Sequence, residues 1–202
     1  AENEIGYKNL IKLVTLAHME GFYYKPRIDR DLMEKYSEGL IALLPSFSSD
    51  ILQSLKLANE SQAMERLNWY KKTFSDTGTG PRFFFEVTHH PEMKGHEENM
   101  KKIVEFARKT QTPIVAAHDV YYINLEDRPA RETLLAVQSQ NDEKIEEGVD
   151  DFSFITQKQA EKYFKALPDA LENTEKIAER GNLEISIGKW FLPNYIVESG
   201  LS

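Results

Sequence analysis

Pro113-Ile114-Val115-Ala116-Ala117-His118-Asp119-Val120-Tyr121-Tyr122 is the stretch whose reading decides the fold. A proline opens it, β-branched and small apolar residues follow, and the polar pair His118-Asp119 stops the apolar run. A continuous run of this length fits a strand buried on both faces, as in a parallel sheet covered by helices. In such sheets functional groups gather beyond the carboxyl ends of the strands. His118 and Asp119 therefore fall where chemistry is expected.

Working outward, two more runs have the same character: Leu40 to Leu44, stopped by Pro45, and Phe83 to Thr88, ended by His89, His90 and Pro91. Helical stretches separate them. Tyr7, Leu10, Ile11, Val14 and Ala17 form an i, i+3, i+4, i+7 stripe that predicts a helix with this face inward, and Gly21 is expected as its left-handed cap. Asp29 to Tyr36 reads as a short helix, and Ser46 to Asp50 as a turn capping a helix from Ile51. Asn59 with Gln62 resembles a capping box for a helix whose inner face is Ala63, Leu67, Tyr70 and Phe74. Met100, Ile103, Val104 and Ala107 give the inner face of the helix that leads into Pro113.

Beyond Tyr122 the pattern predicts a loop, a helix over 129–138 and an acidic solvated loop from Asn141 to Asp151. A short strand is expected at Phe152–Ile155, and a helix capped by Thr156 and Gln159 follows it. Another helix should start at Pro168 or Asp169 and end at Gly181. Leu183, Ile185 and Ile187 alternate as a last half-exposed strand, and Trp190 to Tyr195 reads as a tail leading out of the domain. Helix and strand alternate, which predicts an α/β fold with parallel strands and right-handed crossovers. Three core strands are too few to close a barrel, so the expected architecture is part of a larger β/α barrel.

A formal net charge of −8 argues against a freestanding nucleic-acid clamp, which needs a concentrated basic surface. No apolar run is long enough to cross a bilayer and no secretory signal opens the chain, so no membrane role is expected. Cysteine is absent, which rules out disulfides and thiolate zinc sites and reads most simply as a cytoplasmic protein. The chain starts at Ala1 and enters a helix almost at once, and the expectation is an excised or processed piece.

Three predicted strand ends carry polar side chains: Ser46 after the first, Glu86 and His90 at the next, and His118 with Asp119 at the last. Histidines and carboxylates on adjacent strand ends are what a metal-assisted hydrolase uses, because the ion generates hydroxide from bound water near neutral pH. None of the five histidines occurs as His-x-His, the spacing that places two imidazoles on one strand face. His18 reads as a surface residue and His96 as a solvated one at a helix start. Of His89 and His90 only one can face inward. Glu86 fits equally a hydrogen-bonded strand carboxylate. The glycine-bearing loop Ser75–Pro81 precedes a strand instead of opening a helix, so it reads as a plain turn and not a phosphate cradle.

Read as phrases, Glu20-Gly21-Phe22-Tyr23-Tyr24-Lys25-Pro26-Arg27-Ile28-Asp29, Glu38-Gly39-Leu40-Ile41-Ala42-Leu43, Phe84-Phe85-Glu86-Val87, Pro113 to Asp119 and Ala170 to Arg180 resemble bacterial DNA polymerase III alpha subunits. Order and spacing match over nearly the whole chain. The resemblance implies that residues 1–150 are the later portion of a PHP (polymerase and histidinol phosphatase) domain, a distorted β/α barrel, with 151–202 a mostly helical segment connecting to the palm. It places the first barrel strands before Ala1 and the polymerase active site, with its magnesium, after Ser202.

The same resemblance carries over a site residue by residue. Glu86 and His90 fall in an E-x-x-x-H phrase and Asp119 matches an aspartate, so these three are the candidate metal remnants. Ser46 stands where metal-binding members have cysteine, and Tyr121 where they have histidine. A hydroxyl and a phenol are poor donors beside thiolate and imidazole, which argues for a degenerate site with at most residual zinc or manganese. Implied partners are other replisome subunits, a proofreading exonuclease, the sliding clamp through the parent protein, and DNA through other regions. A PHP phosphoesterase or 3'-5' exonuclease is the alternative.

Overall fold

The three apolar runs become three parallel strands, β1 (Ala42–Leu44), β2 (Phe83–Val87) and β3 (Ile114–Ala116), in the order β1-β2-β3. The computed structural model describes residues 1–139, 151–185, 187–190 and 192. Leu43 pairs with Phe84, and Glu86 with Val115. β2 lies in the middle, so both of its faces need cover. Phe83, Phe84, Phe85 and Val87 are buried and only Glu86 is half-buried.

Eight α-helices are seen among the described residues: α1 (Glu4–Met19), α2 (Arg30–Lys35), α3 (Asp50–Lys56), α4 (Glu60–Thr73), α5 (His96–Lys109), α6 (Arg128–Ser139), α7 (Gln157–Tyr163) and α8 (Pro168–Arg180). Caps explain most of their starts. Ser49 accepts from the Leu52 N–H, Asn59 from Gln62, and Thr156 with Gln159 forms a full capping box. At Asn59 the reciprocal half is missing, because the Gln62 side chain is engaged by Ser54 instead. None of the helices is long and apolar enough to cross a membrane among the described residues.

The core lies between the sheet and α3, α4 and α5. Phe83 stacks on Tyr70 of α4 at 5.0 Å, and Phe85 meets Phe106 of α5 edge-on at 6.1 Å. Each buried phenylalanine contributes roughly 1.5–3 kcal/mol of transfer free energy, so this cluster dominates the local stability.

α8 performs a second task. β3 gives its Pro113 carbonyl to Phe85 N–H, and Ala117 N–H bonds to the Val87 carbonyl, so these groups face β2. The Ile114 and Ala116 carbonyls point the other way. Asn173 Nδ2 donates to Ile114 O at 2.7 Å and Thr174 Oγ1 to Ala116 O at 2.8 Å. Side chains of a helix thus satisfy the backbone of an edge strand, which otherwise invites foreign pairing. Arg180 fixes the end of α8 by donating to Glu2 and to the Gly80 and Pro81 carbonyls.

Several expectations are corrected. The α1 stripe is right only at its ends: Ala17 is buried and Tyr7 half-buried, but Leu10, Ile11 and Val14 are exposed, and Gly6 and Leu13 take the inner face instead. Gly6 decides this, since a Cβ there would sit 1.9 Å from the Gly39 carbonyl oxygen and only glycine lets the two backbones touch. Gly21 is not left-handed. Its lack of a side chain serves close approach, because a Cβ would fall 2.0 Å from the Arg27 carbonyl oxygen. Phe152–Ile155 is no strand and makes only a single bridge, Tyr122 with Ser153. Leu183, Ile185 and Ile187 are irregular, with no strand partner on β1 or β3. The predicted acidic loop and most of the aromatic tail lie outside the described residues, apart from Asp151 and the exposed Trp190 and Leu192.

Candidate functional site

Beyond the carboxyl end of β2 the chain turns inward through Thr88, His89 and His90. His90 is 2% exposed, whereas His89 turns away and stacks on Tyr163 of α7 at 4.3 Å. The His90 Nε2 lies 3.2 Å from Asp119 Oδ2, beyond the end of β3. The His118 ring stacks on His90 at 5.4 Å, the His96 ring approaches it edge-on at 5.5 Å, and Phe152 closes over it at 4.9 Å.

Partners fix the tautomers. The His96 Nε2 is 3.0 Å from the Thr88 carbonyl and the His118 Nε2 is 3.1 Å from the Ser153 carbonyl. Carbonyl and carboxylate oxygens only accept, so each of these three rings carries its hydrogen on Nε2 when neutral. The Nδ1 atoms of His90 and His118 are then acceptors, and both are buried without a partner among the described residues. The Ser46 hydroxyl is likewise buried and unpartnered.

Electrostatics follows from packing. Burial holds His90 below the usual imidazole value, the neighbouring Asp119 partly opposes this, and His118 and His96 add to the depression. Burial, then the Asp119 charge, raises Glu86 above the ordinary carboxylate range. Asp151, which burial alone would push up, is held below its ordinary value by hydrogen bonds from Ser153 and by His118 and His90.

Of the sequence candidates, His90 and Asp119 are brought into contact, and Glu86 lies near enough for the Asp119 charge to act on it. Tyr121 is not part of the cluster: it is 53% exposed, packs on Phe152 at 5.0 Å, and lies under the Arg131 guanidinium at 3.9 Å. One reading is corrected. His96 is buried and not solvated, because it must reach the Thr88 carbonyl left free where β2 ends. His118 and Asp119 lie past the end of their strand. β3 stops at Ala116, strand alternation ends with it, and both residues reach His90. Phe152 and Ser153 were not anticipated at all. The Ser75–Pro81 loop is the expected plain turn, its Gly78 and Gly80 amides taken by Asp76 Oδ1 at 2.7 and 3.1 Å.

No three histidine or carboxylate side chains converge on one point among the described residues, and His90 spends its N–H on Asp119. As arranged, the cluster is a hydrogen-bonded, ring-stacked plug over the strand ends.

The PHP domain family matches residues 1–90. The DNA polymerase III subunit alpha of Borreliella burgdorferi is 35% identical over 201 residues, which are 96% of this chain and 17% of that protein. The subunit of the same name from Thermus aquaticus is 36% identical over 93% of the chain and 16% of its own length. The one from Aquifex aeolicus is 39% identical over 68% and 11%. The chain spans less than a fifth of the curated relatives it matches.

Proposed function

The chain is a PHP-bearing relative of the DNA polymerase III alpha subunits, and from that premise we propose that it serves chromosome replication as a bracing portion of such a subunit, with no hydrolytic centre of its own. On this reading DNA-templated synthesis, with its magnesium, is the work of other parts of the full-length protein. The present residues hold those parts in place and offer a surface to other replisome subunits, the proofreading exonuclease among them.

The observation that carries the reading is the direct bond from His90 to Asp119. A carboxylate that accepts the imidazole N–H and a histidine that spends its donor on it make a structural pair. Ring stacking by His118 and Phe152 supports the same role by filling the space above the strand ends. The unpartnered Ser46 hydroxyl stands in place of a strong metal donor. The alternative, a metal-dependent phosphoesterase, requires these donors to release one another and regroup around an ion.

The test uses the full-length protein and its Asp119→Asn variant. Elemental analysis should find no stoichiometric zinc or manganese in either, and release of nucleotides from a 3' end should be the same in both. The variant should melt at a lower temperature, because the His90 N–H loses a charged acceptor. One equivalent of metal in the parent, lost together with nucleotide release in the variant, overturns the proposal.

A further inference from the structure

The stretch from Phe22 to Arg30, the first residue of α2, takes no part in the strand-end cluster. All nine of its residues are exposed. Phe22, Tyr23 and Tyr24 put three aromatic rings into water in succession, with Tyr24 82% exposed. Exposed aromatic runs on an irregular loop are ordinarily mobile, but this one is pinned. Gly21 packs against the Arg27 carbonyl at a distance that tolerates no side chain, and Tyr23 N–H donates to the Lys25 carbonyl at 3.1 Å.

The pinning forces Tyr24 to φ 59°, a left-handed conformation that a bulky residue rarely adopts. A glycine would sit there without strain, so something other than folding accounts for a tyrosine at the tip. Among the described residues the one ring against the tip is Tyr23, edge-on at 4.6 Å, and most of the Tyr24 side chain meets water.

Cations flank the rings. The Arg27 guanidinium lies 5.2 Å from the Tyr23 ring centroid, and Arg30 lies 4.7 Å from that of Trp69. Lys25 and Arg27 are the cations of the loop itself, whereas Arg30, the first residue of α2, is paired with Asp50 at 3.8 Å and Asp29 caps α2. Open ring faces interleaved with cations are what holds an unpaired strand: bases stack on the rings and phosphates follow the charge. A peptide partner would be matched by apolar recesses between the rings, and an intact duplex hides the base faces that the rings would meet.

The geometry points to the Phe22–Arg30 stretch as a stacking platform for single-stranded nucleic acid, with Tyr24 as the ring that takes a base and Lys25 and Arg27 as the phosphate contacts. This goes beyond the bracing reading and does not need it, since no residue of the loop lies among His90, Asp119 and their neighbours.

The test uses the full-length protein with its polymerase cleft presaturated by primer–template duplex. Fluorescence anisotropy then follows a labelled 12-mer of dT, a 12-mer of rU, an abasic 12-mer and an acidic peptide. The dT strand should bind, and the rU strand comparably, because nothing in the loop is placed to read a 2'-hydroxyl. Tyr24→Gly should weaken the dT strand at least fivefold while melting no lower than the parent, because glycine accepts φ 59° freely. Tyr24→Phe should bind as the parent does. The abasic strand should not distinguish Tyr24→Gly from the parent. A 5-iodouracil strand should cross-link to the peptide holding residues 22–24. Unchanged dT affinity in Tyr24→Gly, cross-links elsewhere only, or binding of the acidic peptide in place of the strand overturns the inference. Any of these leaves the metal and nuclease test of the bracing role unaffected.

Discussion

The two flanks of the sheet are built from similar residues and end up in opposite states. On the β3 flank, Asn173 and Thr174 take the outward carbonyls of Ile114 and Ala116, and α8 lies over the edge. On the β1 flank no described strand or helix does the same. Leu43 is 41% exposed, and a cleft of about 320 Å³ opens beside Leu10, Leu13, Met33 and Tyr70. Apolar side chains alone therefore do not close an edge here. What closes it is a pair of polar side chains matched to two carbonyls.

The largest effect is expected where that match is removed. Asn173→Leu with Thr174→Val keeps bulk but leaves two carbonyls of β3 without donors. Each unsatisfied buried acceptor costs about 1–3 kcal/mol, and the pair should cost about 2–4 kcal/mol, less than additive because the residues are neighbours. Urea unfolding measures it, with Glu175→Ala on the exposed side of α8 as a control expected to change stability by less than about 0.5 kcal/mol. A double variant as stable as the parent would mean that α8 covers β3 by packing alone, and the contrast between flanks would lose its cause.

A smaller effect, confined to the β2–β3 half, is expected from pH. His90 is depressed by burial below its ordinary value of 6.5, so the stability it contributes is complete above 6.5 and is lost as pH falls through its folded value. Glu86 is raised from 4.5, first by burial and then by Asp119, so its contribution is complete below 4.5 and is lost as pH rises through its folded value. Glu86→Gln should therefore stabilise the protein at neutral pH, with the gain vanishing below 4.5. Urea midpoints taken across pH for the parent and this variant give the two curves. A gain that persists to low pH would show that the benefit is not electrostatic. The β1 strand end carries the non-titrating Ser46, so Ser46→Ala should leave the shape of the pH curve unchanged.

What the sequence made legible follows from which forces are local. The three core strand runs, the Ser46–Asp50 turn that caps the helix after it, and the caps at Asn59 and Thr156 depend on residues within a few positions of one another, and these expectations held, unlike the two outlying strand runs at 152–155 and 183–187. The end of α8 at Gly181 held for the same reason. The misses depend on distant partners. The outward turn of the middle of the α1 stripe is decided by Gly6 meeting Gly39, a contact between two residues without side chains. Asn173 and Thr174 read as ordinary polar helix positions until β3 supplies the carbonyls. In the candidate site Glu86, His90 and Asp119 were visible because they follow strand ends. His96 was missed because its partner is a backbone carbonyl, which no residue type advertises. One signal was present: four of the five histidines, at 89, 90, 96 and 118, lie just beyond β2 or β3.

The smallest effect on stability is expected on the open flank, and there the informative quantity is association. Leu43→Ser removes an apolar side chain that water already reaches, so it should change the unfolding free energy by less than about 0.5 kcal/mol. Leu10→Lys on the exposed face of α1 should behave alike. Both shrink an apolar patch beside a strand edge that lacks a described partner, and such patches drive self-pairing. In sedimentation velocity the 202-residue chain should therefore show concentration-dependent association that either substitution reduces. β1 is only three residues long, which limits how many backbone bonds a second copy can add, so most of the association should come from side chains and respond to Leu10→Lys as much as to Leu43→Ser. If Leu43→Ser instead costs several kcal/mol and the parent is monodisperse, something covers this flank in solution, and the difference between the two edges is one of occupant rather than of exposure.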